Sequence, residues 1–77
     1  MTLISEVVAS RRLPTPALAR AIRETAGVSQ ARIAEELGVT RMAVSRWERG
    51  TRRPRGPLLI AYAAVLRDLQ TATGGKP

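Results

Sequence analysis

Two short helical stretches, residues 30–37 and 41–49, are separated by only Gly38, Val39 and Thr40. So short a connection cannot form a wide loop, so the second helix must cross the first closely and at a steep angle. A close crossing needs a small side chain on the first helix, and Ala34 is placed for it. The turn needs a residue that takes positive φ without strain, which Gly38 supplies. Ser29 suits the N-cap of the first stretch and Thr40 that of the second, and Gly50 ends the second. Ile33, Leu37, Val39, Val44 and Trp47 fall at the positions that point toward the rest of the chain.

Proline and glycine punctuate the remainder just as clearly. Thr2 suits the N-cap of a short helix ending near Arg12, with Leu3, Ile4, Val7 and Val8 on one stripe. Leu13-Pro14-Thr15-Pro16 breaks it. Thr15 and Pro16 then read as N-cap and first residue of a helix that ends at Gly27 and turns Leu18, Ala21, Ile22 and Thr25 inward. After the basic loop 51–56, a last helix from Pro57 to about Gln70 carries Leu58, Leu59, Ala61, Tyr62, Val65, Leu66 and Leu69. No stretch alternates like a strand. The expected fold is all-α: four core helices and a short helix at the N-terminus. The expected organisation is an N-terminal extension over 1–14, a domain over 15–70 and a flexible tail over 71–77.

At 77 residues, with one Trp, one Tyr and no Phe, the core must be aliphatic. A core of that size supplies only about 3–5 kcal/mol of net stability. The absence of Cys and His removes disulfides, the usual zinc ligands and the commonest general base. Lys76 is the only lysine and lies in a Gly-Gly-Lys-Pro tail, so a serine–lysine arrangement is not credible either. No enzyme, metal or cofactor is expected. Thirteen Lys+Arg against six Asp+Glu give +7, which suits a polyanion. GC-rich coding also enriches arginine, so charge alone does not separate these readings. No targeting segment or membrane span is visible, and the expected location is the cytoplasm.

The outer face of the second short helix decides the matter. It presents Arg41, Met42, Ser45, Arg46 and Arg49, long donors with no acid among them. An α-helix fits the major groove of B-DNA, where arginine bonds guanine O6 and N7 with both arms of its fork. Met42 suits a thymine methyl, and Ser45 donates or accepts. Arg52, Arg53 and Arg55 follow in the basic loop and suit phosphates. Two closely crossed helices with a basic second member are the physical content of a helix-turn-helix.

Gly27-Val28-Ser29-Gln30, Ile33-Ala34, Leu37-Gly38-Val39, Val44-Ser45-Arg46-Trp47-Glu48-Arg49-Gly50 and Arg53-Pro54 together resemble the phage-repressor and Cro-like (XRE) helix-turn-helix family. The likeness runs from about Leu18 to Leu69. A narrower likeness, to small helix-turn-helix proteins of actinobacteria and their phages, rests on the prolines and Trp47. The resemblance implies a lambda-repressor-like bundle and a transcription regulator, a repressor of phage type, that binds double-stranded DNA as a homodimer. It implies base contacts from Arg41, Met42, Ser45 and Arg46. It implies phosphate contacts from Gln30 and from the loop, a set that includes Thr40, Arg49, Arg52, Arg53 and Arg55. It also implies a structural ion pair between Arg23 and Glu48. Two other readings keep the same fold. One is an antitoxin-like or accessory module that binds a protein partner through the stripe of Leu3, Ile4, Val7 and Val8. The other is a recombination directionality factor.

Overall fold

The computed structural model describes residues 2–74. Among them run five helices: α1 (Leu3–Arg12), α2 (Pro16–Thr25), α3 (Gln30–Leu37), α4 (Arg41–Arg49) and α5 (Gly56–Ala72). Lys76 and the end of the expected tail lie outside the described residues. The expected end of the last helix at Gln70 falls short, because α5 continues to Ala72.

One capping device starts four of the five helices. The side-chain oxygens of Thr2, Thr15, Ser29 and Thr40 accept from the backbone N–H three residues on, in Ser5, Leu18, Arg32 and Ala43, at 3.0–3.2 Å. Each bond satisfies one of the orphan donors of a helix's first turn. The ends are equally regular. Gly38 (φ 70) and Gly50 (φ 76) take the left-handed conformation after α3 and α4. The next residue then bonds back: Val39 N–H to Ala34 O at 2.9 Å, Thr51 N–H to Arg46 O at 3.1 Å. These paired return bonds satisfy the last carbonyls and fix the direction in which the chain leaves.

The core is built where α2, α3, α4 and α5 meet. It contains Ala19, Ile22, Ile33, Ala34, Val44, Trp47, Tyr62 and Leu66, with Val44 and Leu66 completely enclosed. Trp47 and Tyr62 pack with ring centroids 4.8 Å apart, tilted by 48°. Leu37, Val39, Leu58, Val65 and Leu69 close the margins.

One expectation about facing, that of α2, is corrected. On α2, Ala19 and Ile22 are buried, while Leu18, Ala21 and Thr25 face solvent. The helix is turned so that Arg23, next to Ile22, reaches across the bundle, and that buried polar contact outweighs the burial of Leu18. On α1, which lies against α5, the buried residue is Ala9. The apolar stripe points away from the core, with Leu3 76% and Ile4 72% exposed and Val7 and Val8 also in water. No helix among the described residues is long and apolar enough to cross a membrane.

Candidate nucleic-acid interface

Helix α4 divides along its length. Val44, Trp47 and Glu48 occupy positions i, i+3 and i+4 and are buried. That spacing places Met42, Ser45, Arg46 and Arg49 on the opposite stripe. Met42, Arg46 and Arg49 are exposed there and Ser45 is half-buried. Arg41, the first residue of the helix, is also exposed. The structure therefore brings the four residues expected to meet bases onto one side of one helix.

Glu48 is the only acid between Thr40 and Pro57, and it is 7% exposed. Its carboxylate is held by a two-armed contact: Arg23 Nε donates to Oε2 at 2.6 Å and Nη2 to Oε1 at 3.0 Å. Arg23 Nη1 also donates to the carbonyl of Val28 at 2.9 Å, which pins the start of α3 to the same guanidinium. Burial pushes the Glu48 carboxyl up, but hydrogen bonds from Arg23 and Gln30 and the guanidinium charge prevail, so it lies below the usual carboxylate value. The bond to Glu48 raises Arg23 further above its already high value. A buried pair of this kind fixes orientation more than it adds stability. It fixes the roll of α4 against α2, and hence the direction in which Arg46 and Arg49 leave the surface.

The chain of contacts continues outward. Gln30 Nε2 donates to Glu48 Oε1 at 3.0 Å, and Arg41 Nη1 donates to Gln30 Oε1 at 3.0 Å. Arg23, Glu48, Gln30 and Arg41 thus form one line from the protein interior to the tip of α4. The two bonds made by Gln30 are not evident from the sequence alone. Their signal was that Gln30 and Arg41 are the first residues of the two crossed helices, whose starts the short turn brings together.

The other residues expected to meet phosphate are distributed around this line. The Thr40 oxygen accepts from Ala43 N–H, which leaves its hydroxyl proton for an outside acceptor. Arg52, Arg53 and Arg55 are exposed, while Pro54 between them is buried and anchors the loop. Arg46, Arg49, Arg52 and Arg55 have no ion-pair partner among the described residues. Arg53 is engaged elsewhere: its Nη2 donates to Ser10 Oγ at 2.8 Å and to Ser10 O at 3.3 Å. This tie between the basic loop and the end of α1 also escaped the sequence reading, since 43 residues separate its members. Exposed acids on other helices are partnered, Glu24 with Arg20 and Glu35 and Glu36 with Arg32. The result is a face from 41 to 55 carrying six arginines and no exposed acid.

A face of unpaired arginines on the second of two tightly crossed helices is equipped to approach a polyanion with a regular groove. Comparison with known proteins agrees. A family model described as helix-turn-helix matches residues 20–70, from α2 to near the end of α5. No curated protein matches the chain, and no solved structure does. The all-α bundle, the crossed pair α3–α4 and this match together place the chain in the phage-repressor and Cro-like (XRE) helix-turn-helix family of DNA-binding regulators.

Proposed function

We propose that this protein is a sequence-specific regulator that lays α4 in the major groove of duplex DNA and acts as a repressor by occupying its operator. The observation that carries this reading is the face from 41 to 55 without an exposed acid, the one acid of that stretch, Glu48, being turned inward by Arg23. Arg41, Met42, Ser45 and Arg46 read base edges. Thr40, Arg49, Arg52 and Arg55 meet phosphates, joined by Gln30 through its remaining amide proton and by Arg53 when it leaves Ser10. Phosphate contacts supply affinity and salt sensitivity, and base contacts supply choice. The protein works in the cytoplasm as a homodimer on a two-fold symmetric site and uses no cofactor or catalytic group.

Selection of bound duplexes from a random library at about 150 mM salt tests this. The expected result is a two-fold symmetric motif with half-sites about 10 base pairs apart. An asymmetric motif with tandem binding and DNA bending would replace it with the recombination-factor reading. Absence of enrichment, with binding that vanishes as salt rises, would overturn sequence-specific function.

A further inference from the structure

Helix α1 is amphipathic in the reverse sense. It rests on α5 through Ala9, with Glu6 and Ser10 half-buried beside it, and sends its branched aliphatic residues into water. A helix of a self-sufficient domain buries its apolar stripe. Leu3, Ile4, Val7 and Val8 instead form a contiguous exposed apolar patch, and such patches are often interaction sites. Beside it lies a groove of about 490 Å³ between α1 and α5. Ile4 and Val8 of α1 and Ile60, Ala63, Ala64 and Arg67 of α5 line it.

We propose that a second copy of this chain docks here, its α1 antiparallel to the first, so that each aliphatic ridge enters the other's α1–α5 groove. The inference deepens the homodimeric DNA-binding reading and rests on it. Three observations select this occupant. The ridge and the groove are parts of the same surface, which is what a two-fold contact requires. The small side chains Ala63 and Ala64 leave room for Leu3 and Val7. Charge along α1 is segregated, with Glu6 in the first turn and Arg11 and Arg12 in the last. Antiparallel pairing holds the two arginine pairs at opposite ends of the contact, and parallel pairing would stack them.

Area fixes the strength of the contact. A contact confined to one four-residue stripe and its groove falls below the ~1,200 Å² of stable interfaces, in the range of weak ones. Two chains of +7 also repel. The dimer is therefore weak in free solution, strengthens as salt screens that repulsion, and completes on DNA, where the first copy bound raises the effective concentration of the second. The Ser10–Arg53 tie joins this interface to the DNA-facing loop.

The test uses the full chain. The sequence has no cysteine, so single cysteines are clean probes. Antiparallel pairing centred on Val7 and Val8 keeps each Leu3 about 13 Å from its counterpart along the axis, too far for a disulfide. Val7→Cys should therefore crosslink on mild oxidation about ten-fold or more faster than Leu3→Cys. Ile4→Glu should raise the dissociation constant of the dimer, read by sedimentation equilibrium, by about ten-fold or more. It should abolish cooperative binding to DNA with two half-sites while leaving affinity for a single half-site and the melting temperature unchanged. Equal crosslinking at Leu3 and Val7, a dimer indifferent to Ile4→Glu, or a wild type that is monomeric both free and on two-site DNA would overturn the proposal. So would occupation of the face by a different protein in a stoichiometric complex. Binding to a single half-site without any dimer would sink this interface alone. An α1-dependent dimer that selects no DNA sequence would sink the functional reading alone.

Discussion

Gln30 Oε1 accepts from Arg41 Nη1 at 3.0 Å, so the first residue of α3 holds the first residue of α4. The amide has no freedom to flip, because Glu48 only accepts and Arg41 only donates. Arg41 is therefore aimed before any DNA arrives. Gln30→Ala should weaken DNA binding by about 1–1.5 kcal/mol, the worth of one such bond. The loss should concentrate at the base position that Arg41 reads, with little change in melting temperature. Fluorescence anisotropy on a panel of single-base operator variants gives the binding losses, and a thermal melt gives the stability; a uniform loss across the panel would show that Gln30 contributes phosphate contact alone.

Glu48 bears a different load. Glu48→Ala strands Arg23 in the interior, at a cost of about 3–5 kcal/mol, comparable with the whole stability of a domain this small. It should leave the chain largely unfolded, as circular dichroism would report. Glu48→Gln keeps the shape and loses the charge, and should fold with a lowered melting temperature. The pH dependence has a fixed sign. The Glu48 carboxyl sits below its ordinary value of 4.5 in the folded protein. Its stabilisation is complete above that value and is lost as pH falls through it toward the folded value. The wild type should lose melting temperature below about pH 4.5, and Glu48→Gln should lose much less over the same range.

Tyr62 governs the alkaline end. Its hydroxyl is buried with no hydrogen-bond partner among the described residues. Burial, reinforced by the Glu48 charge, pushes its pKa from 10.0 up to about 12. The stability that this protonated group contributes is complete below pH 10 and lost as pH rises from 10 through 12, by about 2–3 kcal/mol. Tyr62→Phe should remove that alkaline loss. At neutral pH it should be neutral or mildly stabilising, since it deletes an unsatisfied hydroxyl. Thermal melts at pH 7 and pH 11 of both proteins decide it.

The arginines divide by what they read. Arg46→Ala should cost roughly 1–3 kcal/mol and relax preference at one base position. Arg52→Ala should weaken binding to every sequence and make the slope of log affinity against log salt shallower by about one. Equal loss on all sequences for Arg46→Ala, or an unchanged slope for Arg52→Ala, would reverse the assignment.

The ends of the helices were legible in the sequence because they are local. Thr2, Thr15, Ser29 and Thr40 cap within three residues, and Gly38 and Gly50 take a backbone shape that other residues resist. The inward face of α3 and α4 was legible because Ile33, Ala34, Val44 and Trp47 leave little choice of side. The face of α2 was not, because hydropathy favoured Leu18 and a contact 25 residues away favoured Arg23. For α1 the sequence showed the stripe and left open which way it faces. Only the seat of Ala9 on α5 turns that stripe to solvent. At the candidate site, Arg41, Met42, Ser45 and Arg46 could be placed from spacing. The Arg23–Glu48 pair came with the family resemblance. The two bonds of Gln30 and the tie of Arg53 to Ser10 join separate elements and needed three dimensions.

The one indole of the chain, Trp47, sits inside the core beneath α4 and beside Tyr62. That position makes it an optical gauge of one event only. Its emission stays blue while the bundle is intact and shifts red when the bundle opens. DNA meeting the opposite stripe of α4 does not touch it. A variant that fails to bind with blue emission has lost a contact; one that fails with red emission has lost the fold.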